Sequence, residues 1–141
     1  MHPHVSMIAI GTADLGRSVA FYEALGWRRS SASTDQMIFL RLANLCVGLH
    51  PRDMLAEDAG VAADGVGFKA VAFAHNVASA EAVDAVFAAA LAAGGEATKR
   101  PERKHWGGYS GYFADPDGNL WEVAHNPFIE LREDGTMVLP E

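Results

Sequence analysis

One cysteine, Cys46, is all the thiol chemistry this chain carries. It excludes an internal disulfide and fits a reducing cytoplasm, where a domain must be held by its core alone. No run reaches the ~18 apolar residues of a membrane span. The N-terminal Met-His-Pro-His lacks the layout of a signal peptide, so its two histidines read as a solvated terminus. Basic residues are scarce: 11 Lys and Arg stand against 18 Asp and Glu, a net charge of −7. That balance argues against nucleic acid as the main partner. Also missing are a Ser-His-Asp arrangement, a glycine loop that could cradle phosphate, and a paired acidic dyad. What remains is ordinary for a globular chain: 141 residues, 50% apolar and 21% charged. That is enough for one domain with a core that needs no staples.

Hydrophobic periodicity divides the chain into two runs of similar order. Val5 to Gly11 reads as a strand, and Asp14 then caps a helix to about Leu25 with Leu15, Val19, Tyr22 and Leu25 on its apolar face. Trp27 to Ser33 is a weak strand. Met37 to Leu42 and Leu45 to His50 are strong ones, joined at Ala43-Asn44 by a two-residue turn. Residues 51–66 read as a loop with a short helical turn near Leu55. The order then restarts. Phe68 to His75 is a strand, Ser79 caps a helix carrying Val83, Val86, Phe87, Ala90 and Leu91, and Gly94-Gly95 ends it. Glu96 to Arg100 is a weak strand. Two strong strands follow around Asp115-Pro116-Asp117-Gly118-Asn119, whose proline and glycine suit a tight turn. Residues 127–141 form a tail with a small hairpin at Glu133-Asp134-Gly135. The expected fold is α+β: two tandem βαβββ modules, at about 5–50 and 67–126, joined by the 51–66 loop. Their strands would form a curved, partly closed mixed sheet with the helices outside.

Strand parity assigns side chains to faces. With Ala43-Asn44 as the turn, Ile38, Leu40, Leu42, Leu45, Val47 and Leu49 share an aliphatic face for helices to cover. Met37, Phe39, Arg41, Cys46, Gly48 and His50 share the other, a mixed face that suits either a ligand cavity or partial solvation. In the last hairpin, pairing of Asp115 with Asn119 sets Glu122 opposite Tyr112 and Ala124 opposite Ser110, with Trp121 and Val123 turned to the core. Glu122 is a lone carboxylate among apolar neighbours, and burial of such a group demands a partner. It is either a ligand-site residue or a hydrogen-bonded structural acid.

The βαβββ repeat, the segment Asp14-Leu15-Gly16-Arg17-Ser18-Val19-Ala20-Phe21-Tyr22-Glu23-Ala24-Leu25-Gly26, and Asp115-Pro116-Asp117-Gly118-Asn119-Leu120-Trp121-Glu122 together resemble the vicinal oxygen chelate superfamily. That group includes glyoxalase I, extradiol dioxygenases and bleomycin-binding proteins. The resemblance covers nearly all of residues 5–126. It implies metal ligands on the first, fourth, fifth and eighth strands in the metal-using members. Carried over, those positions hold Met7, Gly48, either Lys69 or Ala72, and Glu122, so only Glu122 is a ligand of the expected kind. Divalent transition metals want three or four N, O or S ligands. His50 shares the mixed face at its strand end, whereas the parity of His75 and His125 turns them away.

Other features keep two readings each. Lys99, Arg100, Arg103, Lys104 and His105 are either a rim for an anionic ligand or a solvated loop. Trp106, beside Gly107-Gly108, either closes over a bound molecule or anchors its loop. Arg41 either pairs with Glu122 or lies in solvent. Cys46 reads as buried and inert. The expectation is a cytoplasmic small-molecule binding protein of the glyoxalase/bleomycin-resistance type, with no metal and no cofactor. Its cavity would be lined by Phe39, Arg41, Trp106, Tyr112 and Glu122. By resemblance it would pair as a homodimer. The alternatives are a glyoxalase-like lyase or dioxygenase with non-standard ligands, in which Glu122 would be the catalytic acid or base, and a dimeric scaffold whose cavity is filled by side chains.

Overall fold

The computed structural model describes residues 6–65, 67, 69 and 71–138. Val5 and Phe68, the first residues of two predicted strands, lie outside them. The chain divides into two compact units, residues 1–67 and 68–141. In the first, β1 (Met7–Thr12), α1 (Leu15–Ala24), β2 (Arg28–Arg29), β3 (Ile38–Arg41), β4 (Cys46–Pro51) and α2 (Arg52–Ala59) follow one another. The second runs β5 (Ala72–Asn76), α3 (Ala80–Ala92), β6 (Glu96–Arg103), β7 (Tyr109–Ala114) and β8 (Leu120–His125), then a tail hairpin of β9 (Glu130–Leu131) and β10 (Met137–Val138). Each unit builds a four-stranded mixed sheet, in the orders β1-β4-β3-β2 and β5-β8-β7-β6. The first strand of each pairs parallel with the last, and the remaining pairs are antiparallel. The two runs of the sequence are therefore one topology used twice.

The helix caps explain how each unit starts. The Asp14 carboxylate accepts from Arg17 N at 3.0 Å, and Ser79 Oγ accepts from Ala82 N at 3.2 Å, satisfying donors that a helix start leaves open. The buried face of α1 is Ser18, Val19, Phe21 and Tyr22: of the expected stripe Val19 and Tyr22 are buried, while Leu15 and Leu25 at its ends are half-buried. Ser18 can be buried because its hydroxyl donates to Asp14 O at 3.0 Å. Helix α1 packs against β4, and Leu40, Val47 and Leu49 on that sheet face are all but sealed from solvent. The α3 residues Val83, Phe87 and Ala90 cover β7 and β8. There Phe73, Trp121 and Phe113 lie in one row across three strands, Phe113 meeting Phe87 edge-on at 6.4 Å. Fully burying an aliphatic or aromatic side chain of this size contributes roughly 1.5–3 kcal/mol.

Three segments depart from the sequence expectation. Residues 52–59, expected as loop with a short helical turn near Leu55, form a helix of eight residues, none of them buried. Its start sits against Gly11, where a Cβ would meet Arg52 Cα at 3.2 Å and Leu55 Cδ2 at 3.4 Å. Arg52 also ties down the following chain, donating to Ala63 O and Gly65 O. The strand expected over Trp27 to Ser33 shrinks to Arg28–Arg29. Conversely β6 extends past Pro101 to Arg103, with register shifts between Ala97 and Lys99 and between Lys99 and Glu102. The irregularity absorbs the proline, which has no N–H to give the ladder.

Candidate functional site

Both hairpins have the register the turns demand. Leu42 N donates to Leu45 O at 3.0 Å, closing Ala43-Asn44, and Phe39 then faces Gly48 while Arg41 faces Cys46. In β7–β8, Asp115 N donates to Asn119 O at 2.9 Å. The Asp115 carboxylate accepts from Asp117 N, Asn119 N and Asn119 Nδ2 at 2.8–3.0 Å. Gly118 supplies the positive φ of +74° at that turn. Tyr112 consequently faces Glu122, and Ser110 faces Ala124.

On the second sheet Lys99, Tyr112, Glu122 and Ala74 form one row across β6, β7, β8 and β5. The Tyr112 phenol titrates above its usual range. Burial is the largest cause, the charge of Glu122 and hydrogen bonding to it come next, and the Lys99 charge opposes them. Ser110 lies two residues along β7 on the same face, fully buried, and its Oγ has no partner among the described residues. An unmet buried hydroxyl costs about 1–3 kcal/mol. This face can therefore accept and donate hydrogen bonds around one carboxylate.

On the first sheet Phe39 is half-buried in the middle of β3, and Arg41 is exposed at its end. Above Gly48 the space is taken by two thioethers: a Cβ there would lie 3.3 Å from both the Met7 and the Met37 sulfur. Cys46 is half-buried rather than sealed in the core as expected, and its thiol points weakly at Val47 O, 3.6 Å away. Sequence reasoning missed Arg28, whose register partner is Arg41. The Ala43-Asn44 turn could not have found it, since that turn sets only the β3–β4 register and Arg28 pairs with the other edge of β3.

Trp106 stands in the Lys104–Gly108 connection, closed by Lys104 N to Gly108 O and Gly107 N to Lys104 O at 2.9 Å each. Its ring lies on its own loop: a Cβ on Gly108 would fall 1.7 Å from the ring, and 37% of the residue stays exposed. Phe128 lies against Gly107, 3.1 Å from where a Cβ would stand. The neighbouring basic run is strand as well as loop. Lys99 and Lys104 both bind the Glu102 carboxylate at 2.9 Å. Hydrogen bonds to these two lysines, and then their charges, pull Glu102 down to about 2. The rest of the run offers Arg100, Arg103 and His105.

The positions that metal-using relatives would employ can now be fixed. Met7 stands seven residues before the N-cap Asp14 (14 − 7), and Ala72 stands seven before the N-cap Ser79 (79 − 72). Their partners on the last strands are Cys46 and Leu120, again equivalent. The fifth-strand position is therefore Ala72. Lys69 precedes that strand and is tied to the Asp115–Asn119 turn, donating to Asn119 Oδ1 at 2.8 Å and Asp117 O at 3.3 Å. The first sheet thus offers one thioether and a glycine, the second an alanine and one carboxylate. This donor set does not fit a divalent zinc, nickel, manganese or iron ion, which needs several N, O or S ligands. The histidines do not make up the shortfall. His75 and His125 face α3 beside Val123 and Tyr109, and burial lowers the pKa of His75. His125 Nδ1 lies 3.2 Å from Val77 O, and His50 Nδ1 lies 3.3 Å from Pro51 O. No group of three or more His, Cys, Asp or Glu side chains among the described residues is arranged to hold a metal. An open depression of ≈ 540 Å³ over Glu130–Asp134 belongs to the tail hairpin and is lined by none of the predicted residues.

Twin βαβββ units with one covered and one open sheet face define a class, and the sequence comparison agrees with it. The chain belongs to the Glyoxalase/Bleomycin resistance protein/Dioxygenase superfamily, whose family model matches residues 4–123. It is similar to the crystal structure of a glyoxalase-related enzyme from Fulvimarina pelagi, with 32% identity, a TM-score of 0.88 and 99% of each chain covered. A glyoxalase/bleomycin resistance protein/dioxygenase family enzyme from Burkholderia phytofirmans PsJN is 25% identical, with a TM-score of 0.77 over 85% of this chain and 96% of that one. Lactoylglutathione lyase from Agrobacterium tumefaciens is 19% identical, with a TM-score of 0.64 over 88% and 94% of the two chains, a likeness of fold alone. No curated protein matches the chain. No helix among the described residues is long and apolar enough to cross a membrane.

Proposed function

We propose that this chain is a small-molecule binding protein of the glyoxalase/bleomycin-resistance type that works without a divalent metal. The observation that carries this reading is the donor set at the four family positions. Met7, Gly48, Ala72 and Glu122 supply one carboxylate, and the Met7 and Met37 sulfurs fill the space above Gly48. The ligand is a small organic molecule. In the first unit Phe39 offers apolar surface and Arg41 charge; in the second Trp106 offers apolar surface, and Tyr112 and Glu122 offer hydrogen bonds. The protein acts in the cytoplasm as a homodimer, its 141 residues forming one domain. A second reading, a metal-dependent glyoxalase- or dioxygenase-like enzyme with non-standard ligands and Glu122 as its catalytic residue, draws on the 32% identity to a protein described as a glyoxalase-related enzyme.

Metal analysis of protein purified without chelator separates the two. Less than about a tenth of an equivalent of Zn, Ni, Mn or Fe is expected, since one carboxylate does not hold such ions against water. A stoichiometric metal would sink the metal-free reading.

A further inference from the structure

The open face of the first sheet has a charge pattern that neither the fold nor the core requires. Its residues, by register, are Met7, Ala9 and Gly11 on β1, Arg28 on β2, Phe39 and Arg41 on β3, and Cys46, Gly48 and His50 on β4. Not one is a carboxylate, in a chain whose net charge is −7. Arg28 and Arg41 stand directly opposite each other on antiparallel strands, and both are exposed. Like charges in that position destabilise a sheet. The neighbouring Arg29, turned to the other face, is relieved by Glu23 at 3.3 Å. Neither Arg28 nor Arg41 has an ion pair among the described residues. One row further along the same face, Phe39 stands opposite Gly48, where the floor is flat and topped by the polarisable sulfurs of Met7 and Met37.

We infer that this face takes a flat aromatic anion. The Arg28 and Arg41 guanidiniums hold its carboxylate, sulfonate or phosphate, and its ring lies on Phe39 and the two thioethers. Guanidinium matches such oxyanions with paired N–H donors. Thioethers and phenyl rings favour aromatic partners. A bound anion also removes the repulsion between the two guanidiniums, so the ligand is drawn to the least favourable pair on the sheet. Arg28 becomes a specificity-determining residue and Arg41 its partner. This inference rests on the small-molecule reading above.

Two fluorescent probes of one shape test it: 1-anilinonaphthalene-8-sulfonate and its uncharged analogue N-phenyl-1-naphthylamine. The sulfonate should bind at least about tenfold more tightly at low salt. The ratio should fall about fivefold or more in Arg28→Met and in Arg41→Met, and should collapse near 1 M salt, where screening acts over about 3 Å. Arg132→Met, in the tail, should leave the ratio alone. Equal affinity for the two probes, or a ratio insensitive to both substitutions, overturns the anion assignment while leaving the small-molecule reading standing. Binding of neither probe overturns both.

Discussion

Gly111 is the residue on which the strand carrying Ser110 and Tyr112 most depends. Between Lys99, opposite Tyr112, and Glu102, opposite Ser110, β6 spends one residue more than β7, and Pro101 sits in that irregularity. A Cβ on Gly111 would lie 2.7 Å from Pro101 N, 2.9 Å from Lys99 O and 2.9 Å from Pro101 Cδ. Carbon contacts are comfortable at roughly 3.5 Å or more. The two strands must therefore separate by about 0.7 Å, enough to take hydrogen bonds of normal length out of range. Losing about two backbone bonds costs ~1–3 kcal/mol, the same range as overpacking elsewhere in proteins. Replacing glycine reduces unfolded-chain freedom, which offsets roughly 0.4–1 kcal/mol. Gly111→Ala should thus destabilise by about 1.3 kcal/mol, or about 4–6 °C in Tm for a domain of this size. The clash is with backbone, so no rotamer change relieves it. Gly16→Ala is the control: it lies in α1, where the nearest atom to a new Cβ is Asp14 Oδ1 at 3.5 Å. That change should stabilise by about 0.4–1 kcal/mol. The assay is thermal unfolding by circular dichroism, with urea midpoints as a second measure. A Gly111→Ala protein melting within about 2 °C of the parent would refute the reasoning, because Pro101 would then have to yield freely.

Glu122→Gln should lower the Tyr112 pKa without bringing it to the ordinary phenol value, since burial, the largest cause, remains. Carbon NMR of the tyrosine ring reads this, and an unmoved Tyr112 would separate the two side chains. The raised phenol value means that stability from the neutral phenol is complete below about pH 10 and is lost as pH rises through the folded value. Glu102 should titrate at about 2 against its usual 4.5, so its contribution is present at neutral pH and is lost as pH falls between those values. Lys99→Met with Lys104→Met should return Glu102 toward 4.5, and a titration that stays near 2 would contradict the pairing. Tyr109→Phe removes the 2.9 Å hydrogen bond from the phenol to Asp84 and should cost at most about 1 kcal/mol, measured by urea unfolding.

Where a residue's place depends on period and turn chemistry, the sequence was enough. Ala43-Asn44 and Asp115–Asn119 are such turns, and each fixes which side chains share a face for several residues either way. Helix α2 was legible only as a short turn near Leu55 because none of its residues is buried, so no apolar stripe marks its length, and Pro51 reads as an end rather than as the residue before a helix. Strand β6 was cut short at Arg100 because Pro101 breaks a regular ladder. Only the paired strand shows that a bulge absorbs it. The fifth-strand register could have been resolved from the N-caps, since Ser79 and Asp14 stand in the same place in their modules. The filling above Gly48 could not, because it depends on where two flexible methionine side chains settle.

The two modules share a packing solution and diverge in chemistry at the same coordinates. Gly48 and Glu122 are each the third residue of their unit's last sheet strand, facing Ala9 and Ala74 respectively. On the covered faces both units keep large apolar residues, because any loss there removes buried area and leaves a cavity. The open faces carry no such restraint, so their side chains can change at little cost to folding. One has come to hold two guanidiniums and two thioethers around a glycine. The other holds a phenol, a carboxylate and a hydroxyl without a partner among the described residues. A metal site of the family kind needs donors from several of these positions together, and a single replacement such as glycine at 48 weakens the whole set. A binding face is more tolerant, since each side chain contributes its own contact. On the proposed metal-free reading, Glu122 therefore needs no companion donors: it contributes its own contact beside Tyr112.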